Sequence, residues 1–119
     1  MMAIASVRAV LEDLKSRVDG IATALVSRDG RVLSADLPGG LYAETFAVMC
    51  ATMFGAAAAG NAELHRAPPQ RIVIEGEDSK AIIARTDGNA LLVLVVDRSV
   101  DLPLVLDQIM KLTAVVMAE

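Results

Sequence analysis

The chain has 119 residues, 22% of them charged, and a formal net charge of −4. That length fits one domain with a buried core, and the acidic balance excludes the basic footprint that nucleic acid or an anionic membrane requires. Hydrophobic residues reach 55% while aromatics stop at 3%, so the excess is small and aliphatic, more than so small an interior holds, and points to self-association.

The chain opens on an amphipathic pattern. Ile4, Val7, Val10, Leu11, Leu14 and Val18 recur at three- and four-residue spacing, with Arg8, Glu12, Asp13 and Lys15 largely off that stripe. This predicts a helix over 4–18, and Gly20 is expected to stop it. Residues 21–27 and 31–35 read as two short strands. Arg28, Asp29 and Gly30 join them in a tight turn, since Asp-Gly supplies the positive φ that a hairpin needs. Leu37, Pro38, Gly39 and Gly40 make a loop. Residues 41–64 have the length and composition of a second helix, bracketed at its end by Asn61 and by Pro68 and Pro69. Three apolar runs follow at 72–74, 81–84 and 91–96. Turn clusters at 76–79 and at Asp87, Gly88 and Asn89 separate them, which predicts an antiparallel meander. The run 91–96 is apolar on both faces and is expected to be a central, covered strand. Asp101 can cap a final helix, with Pro103 in its first turn and a stripe of Leu102, Val105, Leu106, Ile109, Leu112 and Val116. The order α-β-β-α-β-β-β-α over 1–119 is that of a single-domain α/β sandwich, one five-stranded antiparallel sheet flanked by three helices.

From Thr45 to Ala62 the second helix carries no charge over eighteen residues. That is the threshold length for a membrane span. Seven of the eighteen are Ala and two are Gly, which contribute little to insertion, and no basic or aromatic anchor pair flanks them. On a helical wheel, Tyr42, Phe46, Met49, Met53, Ala57, Gly60 and Leu64 share one side. That bulky side is expected to face the sheet. Glu44, Ala47, Val48, Ala51, Gly55, Ala58 and Ala62 share the other. A glycine inside a helix costs about 1 kcal/mol relative to Ala, and close backbone approach is a common reason to keep one. The small-residue side is therefore expected to pack on protein: the same helix of a second subunit, or the chain's own third helix.

Little else carries chemistry. No glycine-rich phosphate loop is present, since the segments around Gly30 and Gly39 lack its Lys-Ser/Thr. Single His and Cys residues, His65 and Cys50, make neither a zinc site nor a nucleophile–base set. His65 is expected to be solvated near a helix end. Glu75, Glu77 and Asp78 form a solvated turn or a weak cation site, and Arg28 and Arg31 are either exposed or meet an acidic partner. No catalytic residue, metal or cofactor is assigned. Lone Cys50 makes no internal disulfide and behaves as a small hydrophobe, which favours the cytoplasm. The opening residues lack a signal-peptide pattern.

Leu11, Leu14, Gly20, Ile21, Ala24, Leu25, Val26, Ser27, Arg28, Asp29, Gly30, Val32 and Leu33 together resemble the opening of the Roadblock/dynein light chain family. The Ala-rich middle helix, Arg71–Glu75, the 91–96 run and the closing helix are similar too, so the likeness spans nearly the whole chain. The compact length resembles the minimal prokaryotic, MglB-like form. The resemblance implies a profilin-like fold and a homodimer whose sheet continues across both subunits. It assigns Arg71, Ile72, Val73, Ile74 and Glu75 to a paired edge strand, and Ala47, Val48, Ala51, Gly55, Ala58 and Ala62 to a paired helix face. It implies a Ras-like small GTPase docking on that helix pair; members differ in whether they speed GTP hydrolysis or scaffold, and no residue of this sequence is named as a catalytic arginine. Two rivals stand beside it. One is a pure scaffold pairing with other Roadblock-like chains. The other is a small-ligand sensor, which a cavity next to Phe46 and Phe54 would support.

Overall fold

A computed structural model describes residues 4–86 and 89–117, with side chains from Arg8 to Lys111 apart from the gap. The turn expected at Asp87 and Gly88 lies outside the described residues, as do the side chains of Ile4, Val7, Leu112 and Val116. The elements are α1 (Ile4–Arg17), β1 (Gly20–Ser27), β2 (Val32–Asp36), α2 (Ala43–Glu63), β3 (Arg71–Glu75), β4 (Ser79–Arg85), β5 (Ala90–Asp97) and α3 (Leu102–Met117). The expected order holds. The strands form one antiparallel sheet in the order β2-β1-β5-β4-β3. β5 is its central strand, as its two apolar faces predict, and Leu91, Leu92, Val93 and Leu94 are all buried.

Alternation along the strands builds two cores. Leu25, Ile82, Ala84, Leu92, Leu94 and Val96 meet Leu11 and Leu14 of α1 and Val105 and Ile109 of α3 on one face. Ala24, Val26, Ile83, Leu91 and Val93 meet Ala47, Cys50 and Phe54 of α2 on the other. The molecule is thus three layers, with two helices on one side of the sheet and one on the other.

Two local expectations are corrected. The residue that ends α1 is Asp19, in the left-handed region at φ 55; Gly20 already belongs to β1. Gly20 serves close packing instead, because a Cβ there would meet Leu94 Cδ1 at 3.2 Å and Lys15 Cγ at 3.3 Å. Gly30 does hold the hairpin turn, with φ 91. The Gly30 N–H donates to the Ser27 carbonyl at 3.0 Å, and the Ser27 N–H to the Arg31 carbonyl at 2.8 Å. A Cβ on Gly30 would also meet Val48 Cα at 3.3 Å, so the hairpin tip rests on α2.

The end of α2, which Asn61 brackets as expected, is closed first by backbone bonds. The His65 N–H donates to the Ala62 carbonyl and the Arg66 N–H to the Asn61 carbonyl. That is a Schellman ending, with His65 at φ 57 in the place glycine usually takes. The Asn61 amide closes the turn on the Ala67 carbonyl at 2.9 Å.

Candidate interaction surface

α2 does not face the sheet with its bulky side. The line that packs on the sheet runs through Ala47, Cys50 and Phe54, all buried, between the two sides of the wheel. Met49 is 55% exposed and Met53 39%, and Tyr42, Leu41 and Leu64 are exposed as well. The expectation that the bulky side is core is therefore overturned. Apolar residues are spread almost evenly around this helix, so amphipathicity, which orients α1 and α3, gives no direction here.

The six residues assigned to a partner divide. Ala47 packs fully into the core and offers no surface. Ala51 and Ala58 are half-buried, while Val48, Gly55 and Ala62 are exposed. Met49, Met53, Ala56 and Ala59 share the exposed side; the sequence reading missed the two methionines by equating bulk with burial and placed the two alanines on neither side. The alternative that α3 covers this face is excluded, because α3 packs with α1 on the opposite side of the sheet. By length and composition α2 could cross a membrane, with 17% of its most apolar window buried; its Ala47, Cys50 and Phe54 are packed on the sheet instead.

The helix glycines sharpen the picture. A Cβ on Gly55 or Gly60 would meet nothing within 4 Å. Among the described residues no contact requires either glycine, although each costs about 1 kcal/mol relative to Ala in a helix interior.

β3 is the second exposed element. It pairs with β4 alone and forms one border of the sheet. Val73 and Ile74 are 36% and 37% exposed, with Ile72 half-buried against the α2-side core. Arg71 and Glu75 are exposed at its ends.

The remaining candidates have structural explanations. The Arg28 guanidinium lies 5.3 Å from the Phe54 ring centre, a cation–π contact. Arg31 pairs with Asp29 at 3.3 Å. Asp29 also accepts the Ser27 hydroxyl, and these two contacts, Ser27 first, hold its carboxyl below the ordinary carboxylate range. Phe54 is packed on the sheet in the α2-side core, with Arg28 over its ring. Glu75 and Glu77 line a shallow depression with Lys80 and Arg98. Arg98 Nη1 donates there to the Glu77 carbonyl at 3.1 Å. Among the described residues no cluster of three or more metal-ligating side chains occurs. Burial pushes the Cys50 thiol up to about 11, so it stays protonated and unreactive at neutral pH.

The sequence matches the Roadblock/LC7 domain over residues 8–96. An uncharacterized protein of Methanocaldococcus jannaschii is 33% identical over 91 residues, covering 76% of both chains. Among solved structures, Myxococcus xanthus MglB superposes with a TM-score of 0.92 at 17% identity, over 99% of this chain and 90% of that one. Acanthamoeba castellanii profilin II superposes at 0.69 with 14% identity, over 93% and 96%. At such identities the two structures share the fold with this chain.

Proposed function

The chain belongs to the Roadblock/LC7 domain family, and from that premise we propose that it is a non-catalytic, homodimeric regulator or adaptor of a Ras-like small GTPase. Two copies join through the β3 edge and α2, and the uncharged outer side of the paired helices receives the GTPase. Different affinity for the two nucleotide states would bias the switch. The observation that supports this most directly is the outer side of α2. It is uncharged from Thr45 to Ala62, exposed at Val48, Met49 and Met53, and broken by two glycines that no contact among the described residues requires. A monomer gains nothing from such a face; a close-packed partner does. The open β3 edge equally favours a second reading, a scaffold that pairs only with Roadblock-like chains.

The test uses purified chain and the Ras-like GTPases of the source organism, each loaded with GDP or a slowly hydrolysed GTP analogue. Calorimetry is expected to show binding at least about tenfold tighter in one nucleotide state. Gly55→Arg, which has open space for its side chain within the chain, should remain folded and lose that binding. No binding in either state, with self-association intact, would leave the scaffold reading.

A further inference from the structure

Resting on the edge pairing just proposed, the residues of β3 say which partner that edge takes. Its backbone orientation follows from its ladder with β4. The Arg85 N–H donates to the Gln70 carbonyl and the Gly76 N–H to the Ser79 carbonyl, both at 2.8 Å. Residues 70 and 76 are therefore at hydrogen-bonded positions, and alternation places Ile72 and Ile74 there too. The N–H and C=O groups of Arg71, Val73 and Glu75 then point to the open edge. Side chains follow the same alternation. Ile72 stands opposite Ile83 of the α2-side core, and Val73 opposite Ile82 of the other core. Arg71, Val73 and Glu75 share the face of α1 and α3, and the two isoleucines share the face of α2.

Read against itself, the strand Arg-Ile-Val-Ile-Glu is self-complementary. A two-fold axis at Val73 brings its three outward backbone positions onto the same three positions of a second copy. Arg71 then stands opposite the partner's Glu75, and Glu75 opposite the partner's Arg71. Ile72 meets the partner's Ile74 on the side where α2 lies. Centring on Arg71 or on Glu75 would place like charges opposite each other. Sliding by one step either way leaves an end of the strand without its opposite. Neither Arg71 nor Glu75 joins an ion pair among the described residues. Lys80, which lies across from Glu75 on β4, gives its Nζ to the Val100 carbonyl at 3.0 Å. β3 also has no proline and no bulge to blunt it.

We infer that β3 is a self-recognising edge: it takes a second copy of this chain in one register, centred on Val73, and the two Arg71/Glu75 pairs select that copy and that register. Backbone pairing and apolar contact supply the affinity. Exposed charge pairs add little affinity but discriminate strongly against mismatched partners.

Sedimentation equilibrium on R71E, E75R, the double variant R71E/E75R and an equimolar mixture of the two single variants tests this. Each single variant faces two like-charge contacts with itself, and its dimer dissociation constant should rise about tenfold or more. The mixture should form heterodimers, because each charge then meets its opposite, and the double variant should return to within about threefold of wild type. Single variants that dimerise like wild type, or a mixture without heterodimer preference, would overturn the register. V73P separates this from failure of the edge pairing itself. Its lost N–H faces away from β4, so the sheet should stand while the dimer is lost. Monomeric V73P with indifferent charge variants overturns the register alone. Dimeric V73P, or a monomeric wild type, overturns the edge pairing and the register with it.

Discussion

The two borders of the sheet are built to different ends. β2 is a closed border. Ser34 is buried, Val32, Ala35 and Asp36 are half-buried, and a register irregularity falls where β1 passes from Leu25 to Val26. Lys15 of α1 reaches across to Asp36 at 3.3 Å, and the hairpin tip rests on α2 at Val48. β3 has none of these. Four of its five residues are exposed and its ladder with β4 is regular. Natural sheets blunt edges that must stay single. A chain that blunts one edge and leaves the other flat has the asymmetry that the proposed strand addition needs.

That contrast can be broken from the closed side first. Gly30→Val sets a β-branched residue at φ 91 with its Cβ against Val48. It should cost about 3 kcal/mol, because strain and overlap act together. Thermal melting reads it directly. An unchanged melting point would mean that the hairpin is not anchored on α2, and the closed border would lose its main support.

Next in size is the layer beneath the open surface. Burial pushes the folded Cys50 thiol up to about 11, above the ordinary thiol range. Above the unfolded value, the unfolded chain ionises its thiol while the folded chain keeps the proton. Stability therefore falls as pH rises from about 9 to 11, by up to about 2 kcal/mol from this group. Denaturant titrations of wild type and Cys50→Ala at several pH values isolate it: the variant should lack that part of the slope. Equal slopes would mean that Cys50 is not sealed beneath α2.

The smallest effect sharpens the comparison most. Gly55→Ala meets no atom within 4 Å and should stabilise the isolated chain by about 0.5–1 kcal/mol. If a second helix lies close on that face, the same substitution should weaken self-association. Measuring melting at low concentration and dissociation on the same protein separates the two. A gain in both would remove close helix approach from the account.

Much of this was legible in the sequence because periodicity carries it. The α1 stripe at Leu11 and Leu14, the Asp29-Gly30 turn, and the doubly apolar 91–96 run each have a local physical cause. The orientation of α2 was not legible. Its sheet-facing line is Ala47, Cys50 and Phe54, two of them small, and its exposed side carries Met49 and Met53. Bulk stands for burial only when one face of a helix meets solvent, and this outer face has the composition of a surface that something else covers. The solvated place of His65 at the helix end was legible, but its left-handed backbone was not, since that is fixed by the bonds around it and not by its own preference.

The most direct test is amide hydrogen exchange along β3, measured at concentrations well below and well above the dissociation constant. The N–H groups of Ile72 and Ile74 bond to β4 and should be protected at both. The Val73 N–H faces the open edge. It should exchange freely in dilute solution and become protected when the chain is concentrated, in step with self-association. Val73 exchanging freely at every concentration, while the protein nevertheless dimerises, would show that the flat edge is not where this chain meets its copy.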